Sequence, residues 1–360
     1  MSKRTFKSQG SVSPPRKRRA KTCEEHNDDG ATPIVQSQVC DQFRVFSWNV
    51  NGIGPVIQRP ITAFFDNKSG QTTPLRSFLK RHKWPDILCL QEIKINSSDK
   101  ATQRVLEKAV NNSVPGTDEP RYVVRFSLPR DKYNARGFGG KVYGVATIIR
   151  DDLWSESSSC REVDWDLEGR VLVLETRSKL AVFNIYAVNG TENPYRDPET
   201  GAITGTRHDR KRQFHAALLK ECQTLERAGF RLIVAGDMNI AREQQDGHPN
   251  LRTGHQHVTN RADFNRKFFD DGDGLRALDS FRYVHGNEKR YTYHPRGREW
   301  GSSCDRVDLI LLSRDFETVG ALIVGANICD SPQERGPSDH VPLYVALERD
   351  KLRSITDPPV

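Results

Sequence analysis

No window of this 360-residue chain approaches the roughly 18–20 uninterrupted apolar residues of a membrane span, which excludes an integral helical membrane protein. The opening MSKRTFKSQG has no apolar h-region, so no cleaved secretory signal is expected. Paired cysteines are also missing. The seven cysteines stand at 23, 40, 89, 160, 222, 304 and 329 with no Cys-x-x-Cys pair, which is neither a disulfide framework nor a zinc ribbon and suits a reducing compartment. Repeats of the solenoid type are absent, and no Gly/Ser linker divides the chain after residue 42. The body also lacks bulk positive charge. The formal net charge of +8 is carried entirely by Lys3, Arg4, Lys7, Arg16, Lys17, Arg18, Arg19 and Lys21, leaving 47 of the 55 basic residues against 47 acidic ones. Nucleic-acid binding by the body must therefore rest on local patches.

Residues 1–41 have no hydrophobic periodicity and are rich in Ser, Pro and charge, so they are expected to form a disordered basic tail. Within it, Pro14 to Lys21 (PPRKRRAK) is a compact basic cluster of nuclear-import type. A mitochondrial presequence is the alternative, but the prolines and the scarcity of large apolar residues oppose an amphipathic presequence helix. From Phe43 the texture changes to short apolar runs alternating with helical periodicity. Strands are expected at 43–49, 86–91, 121–127, 142–150, 171–176, 180–188, 231–236, 279–284, 305–313, 318–324 and 340–347, and helices at 74–83, 99–111, 208–228 and 261–269. So many strands do not suit a simple doubly wound sheet; two packed sheets covered by helices suit them better. One domain over 42–350 is expected, with 351–360 as a C-terminal tail. Three long polar connections, 189–207, 240–260 and 286–304, carry basic residues and are expected to form a positive rim.

Most chemically useful side chains sit where apolar runs begin or end. Val45–Trp48 leads into Asn49 and Asn51; Ile87–Leu90 into Gln91 and Glu92; Val182–Ile185 into Tyr186; Leu232–Ala235 into Gly236, Asp237 and Asn239. Asp308 opens Leu309–Leu312, and Asp339-His340 opens Val341–Tyr344. Gathered on one rim, Glu92 and Asp339 with an amide oxygen make an all-oxygen site of the kind that hard cations such as Mg²⁺ prefer. An Asp-His pair beside it can donate to a phosphoryl oxygen, with Asp308 orienting the imidazole. Asp237 is then free to hold or activate a water, and Asn239 or Asn49 can donate to phosphate oxygens without adding charge.

The ordered set Ser47-Trp48-Asn49-Val50-Asn51-Gly52-Ile53, Leu90-Gln91-Glu92-Ile93-Lys94, Gly236-Asp237-Met238-Asn239, Arg306-Val307-Asp308 and Ser338-Asp339-His340 resembles the exonuclease III family of abasic-site DNA endonucleases, within the endonuclease/exonuclease/phosphatase superfamily. The resemblance spans about 43–348. It implies a DNase I-like four-layer α/β sandwich of two mostly antiparallel sheets flanked by helices, and a Mg²⁺-dependent phosphodiesterase, with Mn²⁺ as an alternative ion. It implies Glu92 as principal metal ligand with Asn51 and Asp339 nearby, Asp237 and Asn239 at the water and scissile phosphate, and His340 paired with Asp308 at a phosphate oxygen. Tyr186 and Asn49 complete the polar shell. Arg252, Arg290, Arg296 and Arg306 are expected on the phosphates of double-stranded DNA. The stretch aligned with the family's aromatic sugar pocket reads Tyr291-Thr292-Tyr293-His294, with Asp305 close by, and is more polar than that pocket. A monomeric base-excision-repair nuclease in the nucleus is expected. Its rivals are a same-fold enzyme acting on RNA, tyrosyl-linked DNA or a phosphoinositide, and a catalytically silent DNA-binding scaffold.

Overall fold

Alternation along the central strands decides the architecture. In β1 (Gln42–Asn49), Phe43 and Val45 enter one core while Phe46 and Trp48 enter another. In β2 (Ile87–Gln91), Ile87 and Cys89 part from Leu88 and Leu90 in the same way. A strand buried on both faces reads as an unbroken apolar run, which is why the sequence marks these segments as strands.

The computed structural model describes residues 41–58, 72–112, 116–135, 142–270, 272–314, 316 and 322–356. The basic cluster at 14–21 and residues 1–40 of the expected tail lie outside the described residues, as does the start of the expected 318–324 strand. The remaining strands are β3 (Tyr122–Ser127), β4 (Val145–Arg150), β5 (Ser157–Glu162), β6 (Val171–Thr176), β7 (Leu180–Tyr186), β8 (Pro194–Arg196), β9 (Ile203–Thr206), β10 (Arg231–Asp237), β11 (Gly247–His248), β12 (Leu278–Asp279), β13 (Cys304–Asp305), β14 (Asp308–Leu312), β15 (Ile323–Ile328) and β16 (Leu343–Glu348). Two six-stranded sheets carry the fold, ordered β15-β16-β1-β2-β4-β3 and β12-β14-β10-β7-β6-β5. Each is antiparallel apart from one parallel pair, β1 with β2 and β7 with β10. Inner faces of both sheets share one core, including Val45, Ile87, Ile233 and Ile310.

Helices cover the outer faces. They are α1 (Gly54–Ile57), α2 (Pro74–Arg81) and α3 (Lys100–Val110) on the first sheet and α5 (Arg207–Arg227) and α6 (His255–Phe268) on the second, whereas α4 (Asp151–Ser155) and α7 (Ser280–His285) send Leu153 and Phe281 into the shared core. α2 starts on Thr73, whose hydroxyl accepts from the Arg76 amide, with Pro74 at the first helical position. α5 opens on a Thr206/Asp209 capping box and presents Phe214, Leu218, Cys222 and Leu225 to the second sheet. The expected four-layer sandwich is the observed fold.

Several local expectations are corrected. The 279–284 strand is a helix, α7, because Asp279 caps it by accepting from the Arg282 amide, and only Leu278–Asp279 pairs in a sheet. α6 begins at His255 rather than 261, so His255 and His257 lie on a helix instead of in a loop. The expected tail after 350 opens as a helix, Arg349–Thr356, whose Leu352 joins the inter-sheet core. β5 was not anticipated: it is a polar edge strand, SSSCRE, whose residues are half-buried or exposed and show no apolar run. No described helix is long and apolar enough to cross a membrane.

Candidate active site

The two parallel pairs build the site. Asn49 lies opposite Gln91, so Asn49, Asn51 and Glu92 leave their sheet at one end. In the other sheet Tyr186 lies opposite Asp237, and antiparallel β14 places Asp308 across from Asp237. β16 starts beside the end of β1, with Leu343 opposite Ser47, which brings His340 to the same rim. Gly236 is required there. A Cβ at this position would stand 1.9 Å from the Ile185 carbonyl oxygen, so only glycine lets β10 approach β7 so closely. The Ser338–His340 segment is tied back to β1: Ser338 Oγ donates to the Asn49 carbonyl at 2.6 Å and Trp48 Nε1 to the His340 carbonyl at 3.0 Å. Asn51, Glu92, Lys94 and Asn239 all have left-handed backbone, with φ of 49°, 50°, 53° and 52°. Such strain costs on the order of 1–3 kcal/mol per residue and collects at functional sites.

One corner is rich in oxygen. The Tyr186 hydroxyl donates to Glu92 Oε1 at 2.6 Å, and Asn49 Nδ2 donates to the same oxygen at 3.2 Å and to Asp237 Oδ2 at 3.0 Å. The Lys94 ammonium pairs with Glu92 Oε2 at 3.0 Å and also donates to Asn51 Oδ1. Asn51 Nδ2 in turn donates to Asp339 Oδ1 at 2.9 Å. Burial pushes Glu92 upward, but Lys94 and the hydrogen bonds from Tyr186 and Asn49 prevail and hold it below the usual carboxylate range. An ionised carboxylate, a second carboxylate and an amide oxygen that already attracts an ammonium fit a hard divalent cation.

The other corner holds Asp237, Asp308 and His340, whose oxygen and nitrogen atoms lie within 4.8 Å of one another. His340 Nδ1–H donates to Asp308 Oδ2 at 2.7 Å, while Asp308 Oδ1 is buried with no hydrogen-bond partner among the described residues. Burial pulls the imidazole down, but Asp308, then Asp237 and Asp339, push it up to about 10. Burial, and next the charge of Asp308, push Asp237 up to about 7. The spacing of this trio would also suit a metal ion. However, an imidazole held as imidazolium is itself the cation, so this corner is suited to acid–base work. The Asn239 amide fixes Asp237 by donating to Oδ1 at 2.8 Å.

The sequence profile of the endonuclease/exonuclease/phosphatase family matches residues 46–340. The chain belongs to that family. No curated protein matches it. Among solved structures it is similar to the catalytic domain of Xenopus laevis APE2, with a TM-score of 0.58, 23% identity, and 85% of this chain and 92% of that one covered. It is similar to an AP endonuclease from Archaeoglobus fulgidus, with a TM-score of 0.57, 19% identity and coverage of 85% and 99%. It is also similar to the 3′ phosphatase NExo from Neisseria, bound to a product DNA hairpin, with a TM-score of 0.54, 20% identity and coverage of 84% and 98%. These likenesses establish the shared fold.

Asn49, Asn51, Glu92, Tyr186, Asp237, Asn239, Asp308, Asp339 and His340 thus meet in this member of the endonuclease/exonuclease/phosphatase family. Glu92, Tyr186, Asp237, Asn239, Asp339 and His340 line a cavity of about 220 Å³ that all three long connections reach, through Asn189, Arg252 and Tyr293, and Asn49, Asn51 and Asp308 are hydrogen-bonded to these lining residues. The four arginines expected on DNA do not share one fate. Arg252 lines the cavity, with Nη2 3.6 Å from the Asp305 carboxylate. Arg296 is exposed but does not line it. Arg290 is engaged by Glu288 at 2.7 Å and Asn327 at 2.8 Å. Arg306 is a correction: it is 0% exposed and held by Asp246 and Asp279, so it cannot reach a phosphate. Tyr293 and Asp305 line the cavity, whereas His294 is buried and stacked on Trp300 at 3.7 Å.

Three residues at the site are not among those expected from the sequence. Lys94 sits inside the quoted Gln91–Lys94 stretch and needed only to be read as a partner of Glu92. Arg170 is buried, donates to the Tyr186 and Ala187 carbonyls at 3.2 and 3.3 Å, and lies 3.8 Å from the Tyr143 ring centre. No local pattern marks it. Lys211 lines the cavity from α5, three residues before Phe214 on the buried stripe, and that position was the available signal.

Proposed function

We propose that this protein is a Mg²⁺-dependent DNA phosphodiesterase of the exonuclease III type, an AP endonuclease and exodeoxyribonuclease of base excision repair that incises 5′ to abasic sites, processes 3′ ends, or does both. One observation carries the reading: a continuous hydrogen-bonded path from Asp339 through Asn51, Lys94, Glu92 and Asn49 to Asp237 joins a cation-attracting corner to an acid–base corner across a single cavity.

In this mechanism water attacks phosphorus in line with the leaving 3′-oxygen. Asp237, held by the Asn239 amide and the Asn49 side chain, orients that water and takes its proton. His340 donates to a non-bridging phosphoryl oxygen, with Asp308 fixing the ring orientation through Nδ1–H; preorganised donors of this kind each contribute about 2.7–4 kcal/mol. A divalent cation, Mg²⁺ or Mn²⁺, held by Glu92, Asn51 and Asp339 would polarise the phosphoryl oxygen and offset charge on the leaving oxygen. Tyr186 and Asn49 keep Glu92 ionised and aimed. Arg252 grips the backbone of double-stranded DNA without reading bases. The protein acts as a monomer. The basic cluster at 14–21 directs it to the nucleus, with the mitochondrion as the alternative.

A second reading, the same chemistry on RNA, tyrosyl-linked DNA or a phosphoinositide, draws support from the charged cavity wall at Asp305 and Arg252. Rates on abasic duplex, 3′-recessed DNA, RNA and inositol phosphates, with and without EDTA, separate the two. EDTA-sensitive cleavage of either DNA substrate is the expected result. Cleavage of RNA or inositol phosphates alone moves the assignment to the second reading, and silence on every substrate favours a non-catalytic DNA-binding scaffold.

A further inference from the structure

A lysine stands on the buried stripe of α5 where packing alone would favour an apolar residue. Lys211 is 2% exposed, and the stripe continues through Phe214, Leu218, Cys222 and Leu225. Its Nζ donates to the Asn239 carbonyl at 2.7 Å. No carboxylate lies within ion-pair distance of it among the described residues, yet it forms part of the cavity wall that also includes Asp237 and Asn239. Burying an ammonium without a counter-ion is costly, and such a group persists where something other than stability retains it. Burial pushes its pKa down to about 7, and Asp237 pulls the other way, so the two charges sense one another.

The carbonyl it holds belongs to the residue that aims the base. Asn239 has φ of 52°, donates its amide to Asp237 Oδ1 at 2.8 Å, and anchors its side chain on the Ala187 carbonyl at 3.0 Å. With the carbonyl taken by Lys211, the main-chain amide, main-chain carbonyl and side-chain amide of Asn239 are each fixed to a different element. We propose that Lys211 is a positioning residue for the hydrolytic reaction: its Nζ–H clamps the strained Asn239 turn from beneath the cavity by donating to the Asn239 carbonyl. The role operates through Asn239 and Asp237 and requires no contact with substrate. The inference rests on the phosphodiesterase reading, and the two fail separately: a silent wild-type enzyme removes that reading, whereas an active wild type indifferent to Lys211 removes only this one.

The decisive variant is Lys211→Met, which keeps the apolar stem and deletes the charge. Expected is a folded protein whose kcat on its DNA substrate falls about 10–100-fold, as for supporting residues of other sites, with KM within about twofold. A kcat within about threefold of wild type, or a loss of KM and kcat together, overturns the proposal. Should that variant fail to fold, Lys211→Ala is assayed with added n-propylammonium and, separately, n-propanol. Rate recovery with the ammonium alone supports the clamp; equal recovery with both, or none with either, assigns Lys211 to packing and overturns it.

Discussion

Arg306 and Asp308 are separated by one residue and belong to opposite kinds of buried charge. Around Arg306 the accounts close. Its guanidinium makes hydrogen bonds of 2.8 to 3.2 Å to both oxygens of Asp246 and of Asp279, and Arg282 and Arg242 join the same carboxylates. Around Asp308 they do not: Asp237 and Asp308 share one imidazole, and Asp308 Oδ1 has no hydrogen-bond partner among the described residues. Asp279 and Asp237 make the contrast within one residue type. Burial pushes both upward; Arg306 outweighs it at Asp279 and lowers that carboxyl, whereas at Asp237 the neighbouring Asp308 adds to burial and raises it to about 7. A cluster with its charges matched holds the fold together. A cluster short of positive charge is left to move a proton.

The sharpest way to break the contrast is to neutralise each side in turn. Glu92→Gln or Asp237→Asn should lower kcat on an abasic duplex by about 1,000-fold, as should EDTA. Asp237→Asn should leave the melting temperature unchanged or raised, because a poorly matched buried charge is removed, whereas Glu92→Gln should lower it, because the Glu92 carboxylate is matched by Lys94. Near wild-type turnover by either variant would remove that residue's role. Arg306→Met should do the reverse. It strands Asp246 and Asp279 and should cost about 3–5 kcal/mol in urea unfolding, while activity per folded molecule survives. Full stability in that variant would show that the knot is not structural.

The pH dependence sharpens the same comparison. In the proposed mechanism Asp237 works ionised and His340 works protonated; the pKa of the first is raised to about 7 and that of the second to about 10. The rate should therefore climb through about pH 7 and fall near pH 10. Removing the Asp308 charge lowers both values, so Asp308→Asn should shift both limbs of the kcat profile to lower pH; limbs that stay put would detach Asp308 from the pair. The smallest effect belongs to the rim. Arg252→Ala should weaken DNA binding and reduce the salt slope by about one unit, and Arg290→Ala, whose guanidinium is already engaged by Glu288 and Asn327, should leave it unchanged. Equal slopes for the two would place Arg252 on ordinary solvated surface.

Much of the molecule is written locally. β1, β2, β7, β10 and β14 were found because strands covered on both faces have to be apolar throughout. The nine polar residues of the site were found because each stands within a few positions of the end of such a run. The errors have equally local causes. The 279–284 segment has strand-like composition, but the side chain of Asp279 supplies a cap, and a cap decides for a helix. Polar edge strand β5 has no apolar run to betray it.

The amino-acid order by itself determined a two-sheet α/β class and the standing of the nine polar residues at strand ends, since burial of alternating faces and the termini of strands follow from neighbours in the chain. Only the tertiary structure decided which charges are satisfied. Arg306 meets Asp246 across 60 residues, Lys211 reaches Asn239 across 28, and Asn49 reaches Asp237 across 188. Whether a buried charge ties the fold together or prepares it for chemistry depends on partners that no local pattern specifies.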